Sequence, residues 1–489
     1  MRDPQLCVTV AGPAMDDMRR SRDAVTGADL VELRLDLVDR PDVAAALHGR
    51  RTPVIVTCRA HWEGGGFTGS EDERRRILET ALDLGAEWID IEAAAAFTPD
   101  LIRARAGRGI VLSEHAFNEM PADLESRFEA MRATGAEIVK LACGIDSLEQ
   151  LRRLLDLGQR ATEEGQAHVL IGMGSVGLPS RVLAARLGNS WTYAGDGVAP
   201  GQVPASRLLN DFQFRRIRPD AALYGVVGNP ISHSLSPVMH NAGFEALGMN
   251  AVYVPFEAQS PEDFVKFARA MDVRGTSITA PFKIGLMAHM DEIETLAARV
   301  GAINTIVVRD GRWIGANTDV EGFLSPLAQH ISLRGARVTV LGAGGAARAV
   351  AVALASEGSH VTICARRRDA AQEIATLVRG TVGDFPPKAS SWDVLVNASS
   401  AGGYANPVNP IDGAPLDGEI VFDLVYAPAE TALLVAARRA GCLTIGGLEM
   451  LIAQAERQFE LWTGQRPPNG LFEGAARSRE LLRAHGGSR

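Results

Sequence analysis

Lysine is nearly missing from this 489-residue chain: Lys140, Lys266, Lys283 and Lys388 are the only four among its 50 basic residues. Where a generic cation suffices the sequence uses arginine, so each lysine that remains is a candidate for chemistry a guanidinium cannot do. Arginine keeps its proton near neutral pH, whereas an amine can be a base, an acid or an imine-forming nucleophile. Lys140 closes the apolar run Glu137-Ile138-Val139-Lys140-Leu141-Ala142, and Lys283 follows Thr279-Ala280-Pro281-Phe282. Lys266 and Lys388 sit among polar or proline-rich residues and read as surface cations. Cysteine is also sparse. Five residues (7, 58, 143, 364 and 442), odd in number and mostly inside apolar runs, read as reduced core thiols and not as disulfides. The ten histidines show no pairing at ligand spacing, so no metal is expected. No apolar run reaches the ~18–20 residues of a membrane span, and Met1-Arg2-Asp3-Pro4 leads into a strand without a signal-peptide pattern. A net charge of −9 argues against nucleic-acid and membrane-surface partners. These absences leave a cytoplasmic globular protein.

The length requires more than one core. Up to about residue 215 a short β-type run followed by an amphipathic stretch recurs eight times: Leu6–Ala11, Leu30–Leu35, Pro53–Cys58, Glu87–Ile91, Gly109–Ser113, Glu137–Ala142, His168–Met173 and Ser190–Ala194. Helical spacing between them is clearest at Arg74–Gly85 and Leu148–Glu164. Eight βα units over 1–215 predict a (β/α)8 TIM barrel, with its chemistry at the C-terminal strand ends. Arg215–Asp220 reads as a linker. A second α/β alternation follows, one unit over 221–330 and another over 331–444, and a helix at Glu449–Gly464 is expected to pack back onto the earlier unit within 445–489.

Several ionisable residues fall at the barrel's strand ends: Glu32, Arg34 and Asp36; Arg59, then Glu63 in a glycine loop; Ser113 and His115; Lys140; and Arg181 after the seventh run. An amine, an imidazole and carboxylates suit imine formation with a ketone and removal of an adjacent proton, and arginines suit a substrate carboxylate. The set Glu32-x-Arg34-x-Asp36, Thr57-x-Arg59-x-x-x-Glu63-Gly64-Gly65, Ser113-x-His115, Val139-Lys140, Met173-Gly174-x-x-Gly177-x-x-Ser180-Arg181 and Ala199-Pro200-Gly201-Gln202 resembles type I 3-dehydroquinate dehydratase. The resemblance implies that Lys140 forms the imine with the C3 ketone, and that His115 removes the C2 proton and assists loss of the C1 hydroxyl. It also implies that Glu63 orients His115, that Arg181 grips the carboxylate, and that Glu32, Arg34, Arg59 and Gln202 bind the ring hydroxyls. The family commonly has serine four residues before the glutamine, where this chain has Val198.

In the second module, Val338–Leu341 leads into Gly342-Ala343-Gly344-Gly345-Ala346, a strand, glycine turn and small-residue helix start suited to a pyrophosphate. The next strand ends in Ala365-Arg366-Arg367-Arg368, where an NAD site would carry a carboxylate; arginines there predict NADP. Upstream lie the hydroxyl-rich turn Gly228–Pro237, then Lys283 and Asp319, an amine and a carboxylate able to protonate a developing alkoxide. Together these resemble shikimate dehydrogenase. By that resemblance Lys283 and Asp319 are the catalytic pair, and Ser234 and Ser236 hold the substrate carboxylate. Thr279, Asn304 and Gln454 contact ring hydroxyls, Tyr426 approaches the substrate, and Asn397 and Ser399 lie near the cofactor. Two departures are Ala365-Arg366-Arg367 for the family's Asn-Arg-Thr and Ser277 for the usual asparagine.

The expectation is a bifunctional enzyme of aromatic biosynthesis, dehydrating 3-dehydroquinate and reducing the product to shikimate with NADPH. A catabolic quinate dehydrogenase fusion is the nearer rival, weakened by Ser234, Ser236 and the arginines at 366–368. A metabolite-sensing regulator is the other, weakened because Lys140, His115, Lys283 and Asp319 are all present.

Overall fold

The computed structural model describes residues 3–195, 197, 201–231 and 234–486. The chain forms two compact units: Met1–Gly225 with Asn229–Pro237 and Gly248–Asp272, and Val226–Gly228 with Val238–Leu247 and Val273–Arg489.

The first unit carries eight strands, β1 Gln5–Val10, β2 Leu30–Arg34, β3 Val54–Thr57, β4 Trp88–Glu92, β5 Ile110–Ala116, β6 Ile138–Gly144, β7 His168–Met173 and β8 Trp191–Ala194. All eight expected runs are strands, shifted by at most three residues at an end. They read as near-continuous apolar runs because a parallel sheet wrapped by helices is buried on both faces. Strand β3 is Val-Ile-Val-Thr and entirely buried, and β6 and β7 are buried throughout. Helix Glu71–Asp83 begins a turn before the apolar spacing predicts. The cause is a capping box, in which Ser70 accepts from the Glu73 amide while the Glu73 carboxylate accepts from that of Ser70.

The strand order is β7-β6-β5-β4-β3-β2-β1-β8, every neighbouring pair parallel, and among the described residues no ladder joins β7 to β8. A side chain stands at that seam. Asn189, buried one turn before β8, accepts from the Leu170 amide at 2.9 Å and donates to the Leu170 carbonyl at 3.0 Å. The adjacent Ser190 amide reaches the His168 carbonyl at 2.8 Å. One asparagine amide thus supplies the donor and acceptor that a partner strand would have supplied, since a buried backbone group must be paired. The unit also holds β10, Ala251–Glu257, and the helix Pro261–Ala270. The chain passes into the second unit through β9, Ala222–Gly228.

In the second unit β11 Val273–Ile278, β13 Thr305–Arg309, β14 Arg312–Ala316 and β12 Glu292–Ile293 lie side by side in that order. A parallel six-stranded sheet follows, ordered β17 Thr381–Val382, β16 His360–Cys364, β15 Arg337–Leu341, β18 Val394–Asn397, β19 Ile420–Asp423 and β20 Leu443–Ile445. This is the doubly wound Rossmann-type order, in which the strand direction of travel reverses beside β15. Helix Gly447–Thr463 returns to the earlier part of the unit as expected: Gln454 bonds Asn304, Gln458 bonds Thr305, and the Trp462 indole donates to the Ile306 carbonyl. Among the described residues, no helix is long and apolar enough to cross a membrane.

Candidate active sites

In the first unit the strand-end residues converge on one cavity lined by Glu32, Arg34, Arg59, Glu63, His115, Lys140, Arg181 and Gln202 together with Met173 and Tyr193. Lys140, on β6, is 4 % exposed. Its Nζ lies 2.8 Å from Asp90 Oδ2, 3.7 Å from Glu32 Oε1 and 4.3 Å from the centre of the Tyr193 ring. Glu63 Oε1 accepts from the His115 backbone amide at 2.7 Å and meets His115 Nδ1 at 2.9 Å. With the Nδ1 proton directed at Glu63, Nε2 is left as the basic nitrogen. Burial, reinforced by the Arg59 and Lys140 charges, holds the His115 imidazole well below its usual range, which keeps it neutral and able to take a proton. Burial pushes the Glu63 carboxyl up to about 8, with Arg59 pulling against it.

The remaining charges hold one another in place. Glu32 accepts from Thr9 and Thr57 hydroxyls, each at 2.9 Å, and the Gln202 amide reaches Thr9 at 3.3 Å. Arg34 pairs bidentately with Asp36, which also accepts from the Gly66 amide. The glycine loop fits only without side chains: a Cβ at Gly65 would stand 2.0 Å from the Arg59 carbonyl oxygen. Arg59 contacts Asp90, Glu92 and Ser113. Arg181 is fully buried, and burial pulls its guanidinium down to about 10, an effect a substrate carboxylate would reverse. A separate apolar groove between helices Thr98–Arg105 and Leu124–Arg132, about 740 Å3, is larger but lacks converging catalytic groups.

In the second unit Lys283 Nζ donates to Asp319 Oδ2 at 2.6 Å, with Lys283 about one-fifth exposed and Asp319 buried. The Asn304 amide donates to Asp319 Oδ1 at 2.8 Å and to Gln454 Oε1 at 3.3 Å, so three predicted residues form one cluster around the carboxylate. Ser277, the departure noted above, donates to Gln458 at 2.7 Å, and Gln458 in turn donates to the Asn304 carbonyl. Thr279 is half-buried at the end of β11, its amide on the Val227 carbonyl. Tyr426 is half-buried in the loop after β19. In the first unit the Ser236 amide donates to the Ser234 hydroxyl at the start of helix Ser236–Ala246. Ser232, His233 and Val198 lie outside the described residues.

Comparison with known proteins bears on both sites. A model of type I 3-dehydroquinase matches residues 6–219, one of the shikimate dehydrogenase substrate-binding domain matches 226–306, and one of the shikimate 5'-dehydrogenase C-terminal domain matches 447–477. The chloroplastic bifunctional 3-dehydroquinate dehydratase/shikimate dehydrogenase of Arabidopsis thaliana is 32% identical, covering 96% of this chain and 84% of the plant protein. The chain belongs to the bifunctional 3-dehydroquinate dehydratase/shikimate dehydrogenase family. The shikimate biosynthesis protein AroDE of Chlamydia pneumoniae is 31% identical over 94% of this chain and 95% of its own length. A crystal structure of a shikimate dehydrogenase in complex with NADP+ superposes with a TM-score of 0.51 at 34% identity, covering 54% of this chain and 97% of that one.

The dehydrogenase half has a cradle that fits a dinucleotide. Gly342 adopts φ +118°, and a Cβ there would stand 2.9 Å from the Ala398 carbonyl oxygen, so the turn admits only glycine. Gly344 caps helix Gly345–Ser356 without any side-chain bond, and the space around its Cα is open, leaving the helix N-terminus available to a phosphate. A Cβ at Gly345 would lie 3.8 Å from the Lys283 side chain, which places the amine beside the turn Gly342–Ala346. Arg366 and Arg367 are exposed directly after β16, and no acid stands at the strand end. Asn397 ends strand β18. It is fully buried, donates to Asp423 and to the Ala401 carbonyl, and accepts from the Ser399 amide and hydroxyl. It therefore shapes the loop that carries Ser399.

Two residues of the dehydratase site escaped the sequence reading, Asp90 and Glu92. They had a signal: carboxylates two apart in the strand Trp88-Ile89-Asp90-Ile91-Glu92 face the same side. Both are completely buried, which requires buried cations opposite them. Those cations are Lys140 and Arg59 for Asp90, and Arg59 and Arg74 for Glu92.

Proposed function

We propose that the chain catalyses two consecutive steps, dehydration of 3-dehydroquinate to 3-dehydroshikimate in the barrel and reduction of that product to shikimate in the second module. The observation that carries the reading is that each module joins one of the two singled-out lysines to a carboxylate at hydrogen-bond distance, with His115 and Glu63 in the Lys140 cavity and the glycine turn beside Lys283.

In the barrel, Lys140 attacks the substrate ketone. The ammonium and the ketone become an iminium and water, so the nitrogen carries one positive charge before and after. The iminium draws electrons from the neighbouring carbon, and His115 Nε2 removes the proton there. The resulting imidazolium, held by Glu63 through Nδ1, then protonates the departing hydroxyl as the carbon–carbon double bond forms, and water hydrolyses the product iminium, releasing the ketone and restoring the Lys140 ammonium. Arg181 holds the carboxylate, while Glu32, Arg34, Arg59 and Gln202 fix the ring hydroxyls.

In the second module NADPH, when bound, supplies the hydride. The turn Gly342, Ala343, Gly344, Gly345 and Ala346 would hold its pyrophosphate, Arg366 and Arg367 its 2′-phosphate, and the Ser399 loop its neighbouring portion. Lys283 protonates the developing alkoxide and Asp319 keeps that amine in place. Ser234 and Ser236 take the substrate carboxylate, and Thr279, Asn304, Tyr426 and Gln454 take the hydroxyls and ring.

The residue ranges 1–215, 221–330 with 445–489, and 331–444 are proposed as the dehydratase, substrate-binding and NADP-binding domains. The matched family segments support that division. A cytoplasmic location is proposed on the five buried, unbridged cysteines. The test measures the half-reactions separately. Product formation from 3-dehydroquinate without nucleotide, and from 3-dehydroshikimate with NADPH against NADH, should both be observed, with NADPH preferred. Failure of either half removes that half of the assignment.

A further inference from the structure

The carboxylate nearest to Lys140 is Asp90, and its surroundings differ from those of every other acid in the barrel site. It stands on β4, facing β6 through the interior, and is completely buried. Its Oδ1 takes the Arg59 guanidinium at 2.8 Å and the Ser113 hydroxyl at 2.6 Å. Its Oδ2 takes the Lys140 amine at 2.8 Å. Glu32, the alternative partner, is 3.7 Å from the amine, and both of its oxygens already accept threonine hydroxyls. Burial alone would raise the Asp90 carboxyl, but the Arg59 and Lys140 charges beside it hold it well below the usual range, so it remains an anion.

We propose that Asp90 is the fixed counter-ion of the reacting nitrogen, holding the Lys140 ammonium before reaction and the iminium after it, and is thereby a positioning residue of the dehydratase. The inference rests on the reading of Lys140 as the imine-forming amine. Two physical arguments support it. First, the conversion of ammonium and ketone to iminium and water conserves one positive charge on the nitrogen. A site that already neutralises that charge needs no new ion when the imine forms, which matters where a buried charge without a partner costs several kcal/mol. Second, Arg59 and Ser113 clamp Oδ1, so Oδ2 cannot turn away when the amine becomes trigonal. Geometry held by neighbours in advance is what lowers the reorganisation needed during reaction. The purely structural alternative is that Asp90 only neutralises Arg59. Under that alternative, the chemistry at Lys140 would not sense its charge.

The experiment traps the imine in the full-length protein. Wild type, D90N and D90E are each mixed with 3-dehydroshikimate without nucleotide and treated with borohydride, and the rate of intact-mass adduct formation is followed. Reduction of 3-dehydroshikimate with NADPH in the same preparations reports the second module, and near-ultraviolet circular dichroism reports the barrel. D90N should trap at least tenfold more slowly than wild type. D90E, which restores the charge, should recover at least a third of the wild-type rate, with reductase activity unchanged in both. Trapping by D90N within twofold of wild type overturns the proposal, as does equal loss in D90N and D90E. Should D90N lose its native dichroism, S113A replaces it, because that change keeps the charge but frees Oδ1. S113A trapping should fall three- to tenfold, and an unchanged rate overturns the proposal. Absence of any adduct in wild type would instead overturn the assignment of Lys140, and this inference with it.

Discussion

Replacing Asn189 with alanine should weaken the dehydratase barrel without touching the reductase chemistry. In the native protein its side chain meets the Leu170 amide and carbonyl, both bonds buried, at the β7–β8 junction, where no ladder is formed among the described residues. Alanine leaves one buried donor and one buried acceptor unmatched. Each costs about 1–3 kcal/mol, so the loss should be about 2–6 kcal/mol. For a unit of this size, ~2–4 °C per kcal/mol puts the fall in Tm near ~10 °C. Trp191 is buried two residues away on β8, so its fluorescence should report the barrel's unfolding. The assay is thermal and urea unfolding followed through that fluorescence, with dehydratase and reductase activities sampled along the same curve. Dehydratase activity should disappear with the fluorescence change, and reductase activity should persist to the wild-type midpoint. A shift below about 0.5 kcal/mol, the scale of an ordinary surface change, would refute the view that this side chain closes the seam.

Lys140→Ala should abolish dehydration while leaving reduction of added 3-dehydroshikimate intact; loss of both activities in a folded variant would contradict separate sites. Asp319→Asn removes the charge that holds Lys283 at 2.6 Å, and should lower the reductase kcat by about 10²–10⁴-fold, the span of a lost acid–base partner. Its dehydratase rate should match wild type in a product-absorbance assay. Arg366→Ala with Arg367→Ala should raise the KM for NADPH about tenfold or more while changing that for NADH little, since bonds to charged groups contribute about 1.5–3 kcal/mol. Glu63 binds its proton more tightly in the folded chain, at about 8, than in an unfolded one, so its contribution to stability is present at low pH and lost as pH rises through that value. E63Q should therefore gain stability relative to wild type between ~pH 5 and 8 in urea unfolding, and a pH-independent difference would contradict the shift.

Much of this was legible because burial leaves a trace in the sequence. Strand His168–Met173 and the nucleotide-binding strands Arg337–Leu341 and His360–Cys364 stand where their apolar runs place them. The strand-end residues Glu63, His115 and Lys140 meet in one cavity because a parallel sheet brings all its C-terminal ends to one side. What stayed hidden are polar contacts between residues far apart in sequence. Asn189 looks like a turn residue after Gly188, and only its position opposite Leu170 makes it a substitute for a strand. Asp90 and Glu92 interrupt an apolar strand, yet nothing local says which cations answer them. The resemblance puts Asn397 near the cofactor, and nothing in the sequence tells that its amide also holds Asp423 and the Ser399 loop. Hydrophobic periodicity reports which face is buried, and it is silent about which polar groups pair inside.

The central claim is that the two sites act in sequence, and the most direct measurement follows NADPH absorbance after 3-dehydroquinate alone is added to purified protein. A steady fall after a short lag is predicted, because only the dehydrated product can accept the hydride, and the fall should vanish in Lys140→Ala and return when 3-dehydroshikimate is added. Constant absorbance with the wild-type protein would contradict the account.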